Sequence, residues 1–230
     1  MAERDRGAVL VTGGASGLGA AVVDAVRRAG RRALALDRRP APGADDAEVV
    51  DLADGAAAET ATVRLIERAG TLGAVVTAAG TDSCGPLAAV ARADWERVVA
   101  VNLLGTVAVV RAALPFLVRS RGRVVTVAST RGLRAVGDAT AYCASKFGVV
   151  GFTRALAVEL AGRVGVTLLV PGGMRTAFFD GRPERYRPPP DARLAPPTDV
   201  AAVIATLLEQ PSDCEVRELV VCPPTESSWP

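Results

Sequence analysis

The chain of 230 residues contains no histidine. That absence removes Ser-His and Cys-His nucleophilic mechanisms, histidine acid–base chemistry and the imidazole ligands of most mixed zinc sites. The cysteines Cys84, Cys143, Cys214 and Cys222 form no Cys-x-x-Cys pair. Free thiols and no metal site are therefore expected. No run reaches about 18 uninterrupted apolar residues, and the opening Met1-Ala2-Glu3-Arg4-Asp5-Arg6 carries no apolar signal core. A cytoplasmic protein that neither spans nor binds a membrane is the expectation. Aromatics make up only 4% of the chain, and the formal charge of +2 comes from well-mixed acids and arginines. With no basic block and no interleaved aromatics to follow a phosphate backbone, nucleic acid is not an expected partner.

Lysine is nearly absent as well. Of 27 basic residues only Lys146 is lysine, in the run Tyr142-Cys143-Ala144-Ser145-Lys146. Keeping one lysine among so many arginines points to a position that needs a compact ammonium and not a planar guanidinium. Tyr142 lies four residues earlier, one helical turn away, so phenol and ammonium share a face. A free tyrosine has a pKa of about 10, and a fixed positive charge beside it is the plainest way to make its phenolate accessible. The pair reads as a proton-transfer device, although the same spacing also occurs on solvated helix faces.

What the chain has in plenty is apolar residues, 50% of the total. At this length that composition suits one α/β domain over residues 1–230. Short β-branched runs at Ala8 to Val11, Arg32 to Leu36, Glu48 to Val50, Ala74 to Thr77, Arg123 to Ala128, Val166 to Val170 and Glu218 to Val221 read as strands. Helical periodicity between most of them predicts a doubly wound parallel sheet of about seven strands with helices on both faces. The connection Arg38 to Ala47, broken by Pro40, Pro42 and Gly43, is too short for a helix. The stretch from about residue 177 to 197, proline- and arginine-rich from Gly181 onward, is a candidate lid or else a solvated loop.

The run Thr12-Gly13-Gly14-Ala15-Ser16-Gly17-Leu18-Gly19 follows the first strand and opens a helix that reaches about Gly30. Glycines there let the backbone approach a pyrophosphate, whose charge the helix N-terminus favours. Asp37 ends the second strand 20 residues after Gly17, where a carboxylate can accept hydrogen bonds from an adenosine ribose. It favours NAD. Arg38 and Arg39 follow at once and keep NADP open, since they are able to clamp a 2′-phosphate.

These residues resemble the short-chain dehydrogenase/reductase family over nearly the whole chain. The family's Thr-Gly-x-x-x-Gly-x-Gly turn falls on Thr12, Gly13, Gly17 and Gly19, and its Tyr-x-x-x-Lys on Tyr142 and Lys146. Its serine matches Ser129, its asparagine Asn102, its adenine-side Asp-Leu Asp51 and Leu52, and its Pro-Gly-x-x-x-Thr Pro171, Gly172 and Thr176. One motif departs: Asn-Asn-Ala-Gly is Thr77-Ala78-Ala79-Gly80 here, which bears on local rigidity more than on chemistry.

The resemblance implies a Rossmann-like single domain that interconverts a secondary alcohol and a ketone by hydride transfer with NAD, or less readily NADP. It makes Tyr142 the acid/base and Ser129 the residue that orients the carbonyl. Lys146 would lower the tyrosine pKa and hold the nicotinamide ribose, with Asn102 linking it through water to solvent. Gly13, Ser16, Gly17, Leu18, Gly19, Asp37, Arg38, Asp51, Leu52, Ala78, Ala79, Gly80, Pro171, Gly173 and Thr176 would contact the dinucleotide, together with Tyr142 and Lys146. Phe178, Phe179 and Tyr186, with Cys84, Arg131 and Leu133, are candidates for an apolar substrate pocket or for plain packing. Relatives of this kind are tetramers or dimers, and the apolar faces Val107 to Leu117 and Val149 to Leu160 fit either a homo-oligomer or a monomer's core. Trp229 is expected to dock on a neighbouring subunit. A 3-oxoacyl thioester reductase using NADPH and a non-catalytic dinucleotide sensor are the competing readings.

Overall fold

Along the first strand Val9 and Val11 face one side of the sheet and Leu10 the other, and all three are fully buried. A strand apolar on both faces needs a helical layer on each side, and the fold supplies it. The computed structural model describes residues 6–211 and 213–229. Residues 1–5, read above as lacking a signal core, and Pro230 lie outside them.

The strands are β1 (Ala8–Thr12), β2 (Ala33–Asp37), β3 (Asp46–Val49), β4 (Leu72–Thr77), β5 (Arg123–Val127), β6 (Gly165–Pro171) and β7 (Glu218–Val221). All pair in parallel, in the order β3-β2-β1-β4-β5-β6-β7. The helices are α1 (Gly17–Arg28), α2 (Gly55–Ala69), α3 (Arg92–Val99), α4 (Gly105–Ser120), α5 (Thr140–Glu159) and α6 (Pro197–Leu208). One apolar layer joins Leu10, Leu34 and Leu36 to Leu65 and Ile66 of α2 and Val109, Ala113 and Leu117 of α4. The other joins Val9, Val11 and Ala35 to Val22, Val23 and Val26 of α1 and Val200, Ile204 and Leu207 of α6. Each fully buried Leu or Val contributes about 1.5–3 kcal/mol over leaving it exposed, so this double layer is the main source of stability.

Every expected strand is present, with ends shifted by two residues or fewer. The β2–β3 connection has no helix; it turns through Ala41, which is buried. Three features of the fold bear on the other expectations. First, an 18-residue window within the helical run Arg92–Ser120 has a mean hydropathy of 1.9, enough to cross a membrane by length and composition only, a test that the core helix of a globular fold also passes. Its apolar side meets β4 and α2 in the core. Second, the apolar faces of α4 and α5 mostly turn inward, since Val109, Val110, Leu117, Val149, Val150 and Leu156 are buried. Leu104, Val118, Phe147 and Val158 are the large apolar side chains left exposed there. Third, the tail before Trp229 is tied to its own chain: Ser228 Oγ donates to Thr130 Oγ1 at 2.7 Å.

The order of strands reverses at β1. The chain runs β1 to β2 to β3 in one direction, then returns to place β4 on the other side of β1, with Thr12 beside Thr77. Loops leaving these two strand ends diverge and open a crevice, the place where such sheets bind ligands.

Candidate active site

The glycine turn between β1 and α1 is built by close approach. Gly13 has φ +75°, and a Cβ on it would sit 2.9 Å from Ala79 Cα. A Cβ on Gly19 would meet the Gly13 carbonyl oxygen at 2.1 Å. Ala79 N–H donates to Thr12 Oγ1 at 3.0 Å, which ties the loop Ala78-Ala79-Gly80 to the turn. A Cβ on Gly17 would touch Thr176 Cγ2 at 3.5 Å, so the Pro171-to-Thr176 loop closes the cradle from the far side.

Ser16 stands at the N-cap of α1 without a side-chain cap bond, and the first turn holds no acidic residue. Uncapped N–H groups at a helix start favour an anion. Asp37 Oδ2 accepts from Ala15 N–H at 3.0 Å and Oδ1 from Arg39 N–H at 2.9 Å, which fixes the carboxylate beside the turn. Asp51 Oδ2 pairs with Arg97 at 2.8 Å, and Leu52 is buried against Gly105. The backbone N–H of Ala53, followed by Arg97, holds the Asp51 carboxyl below its ordinary range. The cradle, the free helix end and the acceptor carboxylate fit a dinucleotide.

At the other side of the crevice, Ser129 follows β5, and Tyr142 and Lys146 stand one turn apart near the start of α5. A Cβ on Gly132 would come within 2.7 Å of the Lys146 carbonyl, so glycine there lets the β5–α5 connection lie against α5. Lys146 is buried, and its Nζ donates to the Val127 carbonyl at 2.9 Å, 5.8 Å from the centre of the Tyr142 ring. Asn102 lies in a π-turn (Ala100–Leu104) between α3 and α4, a distortion with no evident sequence signal. Its side chain clamps Thr81, accepting from N–H at 2.8 Å and donating to the carbonyl at 2.9 Å, and also donates to Ser145 Oγ at 3.0 Å. The four residues chosen from the sequence thus converge.

Their electrostatics differ from the expectation. Burial pushes the Tyr142 phenol up to about 12, with a hydrogen bond from Ser129 pulling the other way. Burial also pulls Lys146 down to about 8. The lysine was expected to lower the tyrosine. In this structure its ammonium is spent on the Val127 carbonyl, and low-dielectric surroundings disfavour charge on both groups.

The segment after Thr176 folds over this end through short turns at Ala177–Phe179 and Glu184–Tyr186. Phe178 packs on Tyr142 with ring centres 5.7 Å apart, and Phe179 packs edge-on to Phe178. Tyr186 Oη donates to Asp138 at 2.8 Å, and Arg182 pairs with Asp82 at 2.5 Å. Cys84 also donates to Asp82, and burial, then that hydrogen bond, lifts its thiol to about 12, which disfavours the thiolate. The sequence reading missed Asp82, Gly132 and Glu226. Glu226 accepts from Gly173 N–H at 2.8 Å and holds the Pro171-Gly172-Gly173 bend from the tail.

The family model for the short chain dehydrogenases matches residues 7–187. The chain belongs to that family. It is an oxidoreductase that uses a nicotinamide dinucleotide, NAD or NADP, to interconvert an alcohol and a carbonyl. Among similar proteins, the 3-oxoacyl-[acyl-carrier-protein] reductase of Thermotoga maritima is 30% identical, over 92% of this chain and 94% of that one. The meso-2,3-butanediol dehydrogenase of Serratia marcescens is 30% identical, over 88% of this chain and 87% of its own. The crystal structure of a single-site variant of actinorhodin polyketide ketoreductase with NADPH is 28% identical and superposes with a TM-score of 0.84, over 96% of this chain and 98% of that one.

Proposed function

We propose that the protein is a secondary-alcohol dehydrogenase or ketone reductase in which Tyr142 is the acid/base. The observation that carries this reading is the convergence of Ser129, Tyr142, Lys146 and Asn102 under a lid that packs on Tyr142. The dinucleotide, when bound, supplies or accepts the hydride. Burial raises the Tyr142 phenol to about 12, so at neutral pH it carries the proton that it donates to a carbonyl oxygen gaining charge. Ser129 donates to the same oxygen and orients it. Lys146, buried beside the ring of Tyr142, has its pKa pulled down to about 8 by burial, so it gives up a proton more readily than a free lysine. Asn102 fixes the loop at Thr81 and the hydroxyl of Ser145 beside that lysine. Tyr142→Phe is expected to lower kcat by roughly a hundred- to ten-thousandfold with dinucleotide affinity kept. Turnover near the wild-type rate would end the assignment.

For the cofactor, NAD is the reading favoured by Asp37, whose fixed carboxylate repels a 2′-phosphate. A second reading, an NADPH-dependent 3-oxoacyl thioester reductase, is supported by Arg39, whose Nη2 donates to Ser16 Oγ at 2.9 Å across the turn. The reductase of Thermotoga maritima makes it worth testing. Separate titrations with NADH and NADPH, followed by turnover of simple ketones and of 3-oxoacyl thioesters, decide between them. The sensor reading falls if any of these turns over. The natural partner on either reading is a small molecule. A cytoplasmic location accords with four free cysteines. Exposed Leu104, Val118, Phe147 and Val158 support a homotetramer or dimer, which light scattering would test.

A further inference from the structure

We infer that Arg182 is a specificity-determining residue whose Nε–H binds a second, uncharged oxygen of the substrate, a hydroxyl, ester or thioester oxygen near the reacting carbonyl. This rests on the oxidoreductase reading above. The Arg182 guanidinium lies over the rings of Phe178 and Phe179, at 5.0 and 4.6 Å, and Phe178 in turn lies on Tyr142. It is therefore part of the wall that a substrate must pass to reach the phenol.

Its hydrogen bonds are incomplete. Nη2 pairs with Asp82 Oδ2, and Nη1 reaches the Tyr186 carbonyl at 3.4 Å. Nε is buried and meets no acceptor among the described residues. A buried N–H on a charged group left without an acceptor is costly, and a ligand oxygen relieves that cost.

The charge of the pair selects which oxygen. Asp82 is only 4% exposed at its side chain and follows Thr81, which Asn102 clamps, so the carboxylate cannot swing away cheaply. It already balances the guanidinium, and a second carboxylate would put net negative charge into a desolvated site. A neutral acceptor completes the hydrogen bonds without that penalty. Arg182 thus reads a polar neighbour of the carbonyl, and Asp82 screens against free acids.

Arg182→Lys tests this, because lysine keeps a cation for Asp82 but has no Nε–H. Butanone, acetoin, ethyl acetoacetate and acetoacetate serve as probes. The wild type is expected to prefer acetoin or ethyl acetoacetate over butanone in kcat/KM. Arg182→Lys should cut that preference roughly ten- to hundredfold, the worth of one charged hydrogen bond, because kcat/KM for acetoin and ethyl acetoacetate falls by that much more than kcat/KM for butanone. Asp82→Asn should raise the relative use of acetoacetate by at least about tenfold. Equal losses on all four probes in Arg182→Lys, or an unchanged preference, would overturn the inference and leave the oxidoreductase reading standing. Dissociation constants for the same probes, measured by saturation-transfer NMR on protein loaded with oxidised dinucleotide, give the comparison without turnover. A binding preference lost in Arg182→Lys supports the inference even where no ketone is reduced.

Discussion

Replacing Lys146 by methionine removes a charge from a buried site with little change in side-chain length. In the folded protein burial lowers the lysine pKa from 10.5 to about 8. At about 1.4 kcal/mol for each pKa unit, that drop costs the fold roughly 3 kcal/mol wherever the lysine is charged in both states. Below pH 8 both states carry the proton and the full cost applies. Between pH 8 and 10.5 the unfolded chain binds a proton that the folded one has released, so stability rises with pH. Tyr142 acts oppositely and later, because a pKa raised from 10.0 to about 12 makes stability fall across that higher window. The difference between wild type and Lys146→Met isolates the lysine, since every other titrating group is shared. From about pH 7.5 to about pH 9.5 the wild type should gain about 2 kcal/mol relative to the variant. Urea denaturation reads this as a relative midpoint shift of roughly 1 M. A difference that stays flat over this range would refute the claim that burial penalises the ammonium.

Three further outcomes follow from the packing. Gly19→Ala puts a methyl group where the Gly13 carbonyl stands 2.1 Å away, so the turn must shift. Fluorescence titration should show NADH binding lost or weakened at least about tenfold, with stability reduced by about 1–3 kcal/mol. Asp37→Ser removes the carboxylate that repels a 2′-phosphate and leaves Arg38 and Arg39 in place. The ratio of NADPH to NADH affinity should rise by at least about tenfold, and an unchanged ratio would take Asp37 out of cofactor selection. Glu226→Ala frees the Gly173 N–H and the Ser228 anchor, so melting should fall by about 2–6 °C, and protease cleavage within the Gly181-to-Pro197 segment should quicken. Unaltered cleavage would mean that the tail does not steady that segment.

Much of this protein is legible along the chain because its signals are local. Alternation along β1, apolar on both faces, demands helices on both sides. A glycine run between strand and helix demands a tight turn at a helix N-terminus. A spacing of four puts Tyr142 and Lys146 on one face of α5 whatever surrounds it. Asn102 and Ser129 entered the reading only through the resemblance to the short-chain dehydrogenases. The substrate side was not legible in this way. Asp82 and Arg182 are 100 residues apart, Gly173 and Glu226 are 53, and neither pair has a sequence period linking its members. The π-turn that carries Asn102 lies between α3 and α4 and packs against α5, with no local signal for it in the sequence. The directions in which Tyr142 and Lys146 shift were also hidden, because spacing says who is near and only burial says which charge survives. Residue type and periodicity determined the sheet, the glycine turn and the sharing of one helix face by Tyr142 and Lys146; tertiary structure decided how the segment after Thr176 is pinned and which way the Tyr142 and Lys146 pKa values shift, because desolvation and long-range pairing exist only once the chain has closed on itself.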